Sequence, residues 1–169
     1  MKPTPGMHPI PRTSARVILL DSRDRILLFS SLPSAGASAR QIAWVLPGGG
    51  AEEGEEIAAT AARELFEETG LRVAPAMLAG PVGVGRGTWS DGVTTYQAED
   101  FVFLLRIPHW EVVTEGFTVL ERQQVTGHRW WSLEELRQTD ALVFPRTLAP
   151  LLARLLAGEM PAAPIELPR

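Results

Sequence analysis

Apolar residues in this chain recur with two periods, and each period marks a different kind of element. From Glu56 to Thr69, the positions Ile57, Ala58, Ala61, Ala62, Leu65 and Thr69 return at helical spacing, and Gly70 follows where a helix C-cap glycine belongs. Leu148, Leu151, Leu152, Leu155 and Leu156 predict a packed terminal helix over Arg146–Ala157. Shorter apolar runs read as strands at Ser14–Leu20, Arg25–Ser30, Ala43–Leu46 and His128–Trp131, with a turn at Asp21–Asp24. Thr94–Ile107 reads as a long strand whose Phe101–Leu105 stretch is apolar without alternation, which implies burial on both faces of a sheet. A further strand is expected within Arg72–Gly83, centred on Ala76–Leu78, and Gly83–Gly92 reads as a glycine-rich turn or mobile loop. Ser132, with Glu135 three residues on, predicts a capped helix start. The sum is an α/β chain with a mixed sheet flanked by helices.

The polar side of the Glu56–Thr69 helix carries the candidate chemistry. Glu64, Glu67 and Glu68 stand at i, i+3 and i+4, so three carboxylates share one side. Like charges at that spacing cost a helix about 0.2–0.5 kcal/mol per pair. An acidic helix face is often merely solvated. Here, though, it lies on a docked helix, just after the short run Trp44–Leu46, Pro47 and the glycines Gly48–Gly50. A divalent cation with a taste for hard oxygen ligands, magnesium or manganese, would offset the repulsion. The glycines let backbone atoms approach a bound ion or phosphate.

Composition narrows the field. The chain has 169 residues, 45% hydrophobic and 21% charged, which suits one domain with a sizeable core. Net charge is −4, against stable nucleic-acid binding. With no cysteine, disulfides, thiolate zinc sites and cysteine nucleophiles are excluded. No apolar stretch is long enough to span a membrane, and Met1–Pro11, broken by prolines, lacks a signal peptide's apolar core, so a soluble cytoplasmic protein is the expectation. The expected division is an arm at 1–11, one domain at 12–158 and a Pro-rich tail at 159–169. Ser30–Arg40, rich in serine, alanine and glycine, reads as a flexible loop bordering a substrate cleft.

The segment Gly49–Leu71 resembles the signature box of the Nudix hydrolases, G-x5-E-x7-R-E-U-x-E-E-x-G-U, where U is a bulky aliphatic residue. Gly49, Glu55, Arg63, Glu64, Leu65, Glu67, Glu68, Gly70 and Leu71 fill every fixed position. The flanking LPGGG and His128–Leu136 are also similar to the family. The resemblance implies an α/β/α sandwich with a mixed sheet. It also implies Mg²⁺-dependent hydrolysis, with Mn²⁺ able to substitute, of a phosphoanhydride bond in a nucleoside diphosphate linked to another group, so the expected partner is a small nucleotide. Glu64, Glu68 and Glu67 then correspond to metal ligands, Glu67 directly or through water, and the Gly49 carbonyl to a further one. Arg63 orients the glutamates, and Glu55 braces the loop–helix junction. The general base is either Glu64 or a glutamate from a distant loop, with Glu115 and Glu121 the candidates; an exposed loop or helix charge is the competing reading of Glu121.

Other residues carry weaker signals. Trp89 and Tyr96 are candidates for stacking on a nucleobase, and Arg40, Arg86 and Arg106 for phosphate contacts. Trp130 and Trp131 read mainly as core, His128 as structural, and Arg12 and Arg16 as solvated charges. Some Nudix subfamilies carry a proline after the box, for ADP-ribose, or a tyrosine slightly further on, for dinucleoside polyphosphates. Arg86 and Gly87–Thr88–Trp89 occupy those places, which leaves the substrate open. A catalytically silent nucleotide sensor is the alternative, and its usual mark, a damaged glutamate cluster, is absent. An acidic interaction module is a third reading. Homodimers are common in the family, so a homodimer is allowed.

Overall fold

The computed structural model describes residues 8–32, 41–90 and 93–168. Its strands are β1 (Ile10–Leu20), β2 (Ile26–Ser31), β3 (Ala43–Val45), β4 (Gly48–Gly50), β5 (Ala79–Ser90), β6 (Thr95–Arg106), β7 (Val125–Trp131), β8 (Leu142–Phe144) and β9 (Ile165–Glu166). Its helices are α1 (Ile57–Thr69), α2 (Val119–Gln124), α3 (Leu133–Gln138) and α4 (Leu148–Leu156). The strands form one mixed sheet in the order β8-β3-β2-β1-β6-β5-β9, with β4 also paired to β1 and β7 to β2. β1 and β6 run parallel along their whole shared length, from Ile10 opposite Tyr96 to Leu20 opposite Arg106.

The unbroken apolar run on β6 explains the layering. Val102 and Leu104 enter one core with Ile18, Leu28 and the α4 leucines, while Phe103 and Leu105 enter the other with Val17, Phe29 and Leu65 of α1. Because neighbours on a strand point to opposite faces, a central strand covered on both sides must be apolar throughout. The sheet therefore lies between α1 on one face and α3 and α4 on the other, the expected sandwich. Among the described residues no helix is long and apolar enough to cross a membrane.

Several expectations need correction. Residues 75–77 form a turn of 3₁₀ helix, not the centre of a strand, and the strand begins at Ala79. Gly83–Ser90, expected as a loop, lies in β5. Glycine at 83, 85 and 87 falls on alternate positions of that strand, and at Gly83 the side chain is missing because Leu167 takes its place: a Cβ there would sit 2.6 Å from Leu167 Cδ1. Gly48–Gly50 is a short strand against Ser14–Arg16 rather than a free loop. At the ends, Ile10 and Pro11 already belong to β1, and Ile165 and Glu166, in the stretch expected as a tail, pair with Gly83 and Val84.

Candidate active site

α1 begins after Glu56 and ends at Gly70, whose φ of 75° makes the left-handed turn that releases the chain. Its buried stripe of Ala61, Ala62 and Leu65 fixes the helix's rotation against the sheet. That rotation decides where the glutamates go. Glu64 and Glu68, four residues apart, are both buried, at 6% and 7% exposure. Glu67 turns outward, with a third of its side chain in solvent.

Arg63 ties the helix to the glycine strand. Its Nε and Nη2 donate to the two oxygens of Glu55 at 2.8 and 3.0 Å, and Nη2 also donates to the Gly50 carbonyl at 2.9 Å. Its Nη1 donates to Glu64 Oε1 at 2.9 Å and reaches Glu67 at 3.4 Å. The two-pronged contact with Arg63 holds the Glu55 carboxyl down, to about 2. Glu55 also accepts from the Glu52 amide and the Thr60 hydroxyl, which completes the brace before α1.

Gly49 leaves the space that Glu64 fills, since a Cβ there would meet the Glu64 carboxylate at 2.7 Å. Glu68 Oε2 accepts from the Gly48 amide at 2.7 Å. Burial pushes the Glu68 carboxyl up to about 8, although the Arg16 charge and the Gly48 amide pull the other way. Burial also raises Glu64, against the pull of Arg63.

A third carboxylate joins them from far along the chain. Oxygens of Glu64, Glu68 and Glu121 lie within 4.8 Å of one another. Glu121 is placed by two features. Thr118 and Glu121 cap α2 reciprocally, with the Thr118 amide donating to Glu121 Oε2 at 2.6 Å. The preceding loop docks on the end of α1: Trp110 Nε1 and the Val113 amide both donate to the Thr69 carbonyl, at 2.8 and 2.9 Å. Gly116 lies so close to α1 that a Cβ would stand 2.4 Å from the Glu67 carbonyl. Ionised carboxylates at 4.8 Å repel by about 3 kcal/mol at an effective dielectric constant of about 20. With Arg63 committed chiefly to Glu55, this oxygen-only donor set fits a hard divalent cation.

Beside the cluster opens a cleft of about 630 Å³ lined by Gly49 and Gly50 and floored by Arg12, Ser14, Arg16 and Asp100. Arg12 and Arg16, expected as solvated charges, therefore belong to the cleft, and Arg16 Nη1 donates to the Gly48 carbonyl at 2.7 Å. Sequence reasoning also missed Asp100, Phe144 and Leu167, which line it. Neither signature spacing nor charge pattern marks them.

The remaining candidates lie elsewhere. Arg40 falls outside the described residues. Trp89 sits on β5 opposite Tyr96, four residues beyond the cleft-lining Gly85, about 13 Å along a strand; its side chain falls outside the described residues. Arg86 pairs with Glu99 and Glu166, and Arg106 with Asp24. Glu115 is exposed, and its carbonyl accepts from Arg122. Trp131 is buried in one core and Trp130 packs against the other, while His128 is an exposed residue edge-on to Phe29.

Comparison with known proteins agrees with this architecture. The NUDIX domain family matches residues 10–153. The MutT protein from Methanosarcina mazei Go1 superposes with a TM-score of 0.59 at 18% identity, covering 92% of this chain and all of that one. A MutT NUDIX hydrolase from Burkholderia pseudomallei gives 0.59 at 21% identity, covering 86% of this chain and 98% of the other. A NUDIX hydrolase from Nitrosomonas europaea gives 0.56 at 24%, covering 91% and 93%. At these identities the structural likeness is one of fold, while the family match spans most of the sequence. The chain belongs to the Nudix family of hydrolases.

Proposed function

We propose that this protein hydrolyses the phosphoanhydride bond of a nucleoside diphosphate linked to a second group, with Mg²⁺ held by Glu64, Glu68 and Glu121 and with Mn²⁺ able to replace it. The observation that carries this reading is the convergence of those three carboxylates within 4.8 Å, two of them buried, at the edge of a cleft floored by two arginines. When bound, the cation supplies positive charge against the phosphate oxygens and acidifies a water. The chain supplies position. Arg63 fixes Glu55 and Glu64 with respect to the glycine strand, Gly49 leaves room for Glu64 and is assigned a carbonyl ligand, and Arg12 and Arg16 offer charge to the phosphates. Glu64 is the proposed base: it takes the proton of the attacking water as the new P–O bond forms and the bridging P–O bond breaks. Two phosphate-bearing products leave. Glu67, beside Arg63 and outside the three-carboxylate group, is proposed to contact the cation through water.

The test is a panel of ADP-ribose, nucleotide sugars, dinucleoside polyphosphates, NADH and canonical and oxidised dNTPs, with Mg²⁺ or Mn²⁺ and products identified by ³¹P NMR. Cleavage between the two phosphates, lost at least 100-fold in Glu68→Gln with the fold intact, is expected. Near-full activity in Glu68→Gln contradicts the assignment. Binding of nucleotides by the unmodified protein without any turnover would replace the enzyme with a sensor.

A further inference from the structure

The two ends of the sheet path meet at one cleft. β8 and β9 are the outermost strands of the order β8-β3-β2-β1-β6-β5-β9. Yet Phe144 and Pro145, at the end of β8, and Leu167 and Pro168, just after β9, line the same 630 Å³ space over β1 and β6. The sheet must therefore curl until its edges stand as walls on either side of its centre.

The second of those walls is anchored. Ile165 and Glu166 pair with Gly83 and Val84, and the Leu167 amide donates to the Val84 carbonyl at 2.9 Å. Leu167 is buried in the core, in the space that the bare Gly83 leaves open. Arg86 reaches across to Glu166. The walls are apolar, and Phe144, 38% exposed, leaves an aromatic ring open to solvent. The floor between them is polar, with Ser14 donating to Asp100. An apolar slot with an aromatic ring on one side and hydrogen-bonding groups beneath suits a planar heterocycle, whose faces are apolar and whose edge is polar.

Resting on the hydrolase reading above, we infer that the segment Ile165–Pro168 is a fixed wall of the substrate cleft, and that it forms with Phe144 and Pro145 the slot that seats the nucleobase. The C-terminal strand is thereby a specificity-determining element.

Gly85 offers a probe that spares the core. It lies on the cleft floor opposite Asp100, and a Cβ there would make only ordinary contacts, 3.6 Å from the Leu167 carbonyl and 3.9 Å from Asp100 Cβ. Gly85→Leu should fold normally and fill the slot. Calorimetric titration with the four ribonucleoside 5′-monophosphates, and separately with inorganic pyrophosphate, reads base and phosphate recognition apart. Gly85→Leu and, independently, Phe144→Ala are expected to weaken the tightest mononucleotide at least about 10-fold, a loss of about 1.4 kcal/mol. Pyrophosphate, which has no base, should change less than about twofold. Deleting residues 165–169 should flatten the preference among the four bases, with circular dichroism verifying the fold. Unchanged mononucleotide affinity in Gly85→Leu and Phe144→Ala, an equal loss for pyrophosphate, or no mononucleotide binding by the unmodified protein overturns the slot. Mononucleotide binding without hydrolysis of any diphosphate derivative overturns the hydrolase reading and leaves the slot standing.

Discussion

Glu55 and Glu68 lie within one short segment and answer oppositely to their surroundings. Glu55 meets Arg63 through both oxygens and is held down to about 2; Glu68 is enclosed and is pushed up to about 8. Their linkage to folding has opposite sign. The lowered Glu55 stabilises the fold above its ordinary value of 4.5, and that contribution is lost as pH falls towards 2. The raised Glu68 keeps in the folded state a proton that the unfolded chain releases, so its contribution is present below 4.5 and is lost as pH rises towards 8. Glu64 moves in the same direction as Glu68. Urea unfolding in EDTA should therefore show stability falling between pH 5 and pH 8, with a shallower fall in Glu68→Gln. Equal slopes in the two proteins would show that Glu68 is ionised throughout, with no burial penalty to relieve.

At the scale of elements, the site is a junction of α1, the glycine strand β4 and the loop that carries α2. The first two were legible in the sequence because their residues are contiguous: the spacing of Arg63, Glu64 and Glu68 is set by helix geometry, and Glu55 lies just before the helix. Glu121 was named only as a loop glutamate, yet Thr118-x-x-Glu121 is a capping box, a local signal that would have placed α2. What no local signal could supply is the docking of residues 110–117 on α1, which brings Glu121 to Glu68 across more than fifty residues of chain. β5 was misread because glycine normally breaks strands; here the bare Gly83 makes room for Leu167. Gly116 makes the docking testable. Gly116→Ala puts a methyl against the Glu67 backbone, so about 1–3 kcal/mol of stability should be lost in chemical denaturation. Divalent-ion affinity should fall with it as α2 lifts. Unchanged affinity would mean that Glu121 is not placed by this contact.

Across the whole molecule, one sheet serves two purposes. Its centre is sealed between two cores, which the uninterrupted apolar run of β6 announced in the sequence. The chemistry lies over the same central strands: β4, paired to β1, presents the glycines to α1, and the sheet's edges curl over the polar floor of Arg12, Ser14, Arg16 and Asp100. That second arrangement depends on long-range closure and on residues without a signature, so it emerged only in the folded chain. The claim on which the rest depends is that Glu64, Glu68 and Glu121 act together as one cation site. Mn²⁺ titration followed by the electron paramagnetic resonance of the free ion tests it directly. Glu64→Gln, Glu68→Gln and Glu121→Gln should each weaken Mn²⁺ binding at least about 10-fold relative to the unmodified protein. Full affinity in Glu121→Gln alongside loss in the other two would separate Glu121 from the site, and full affinity in all three would contradict the account.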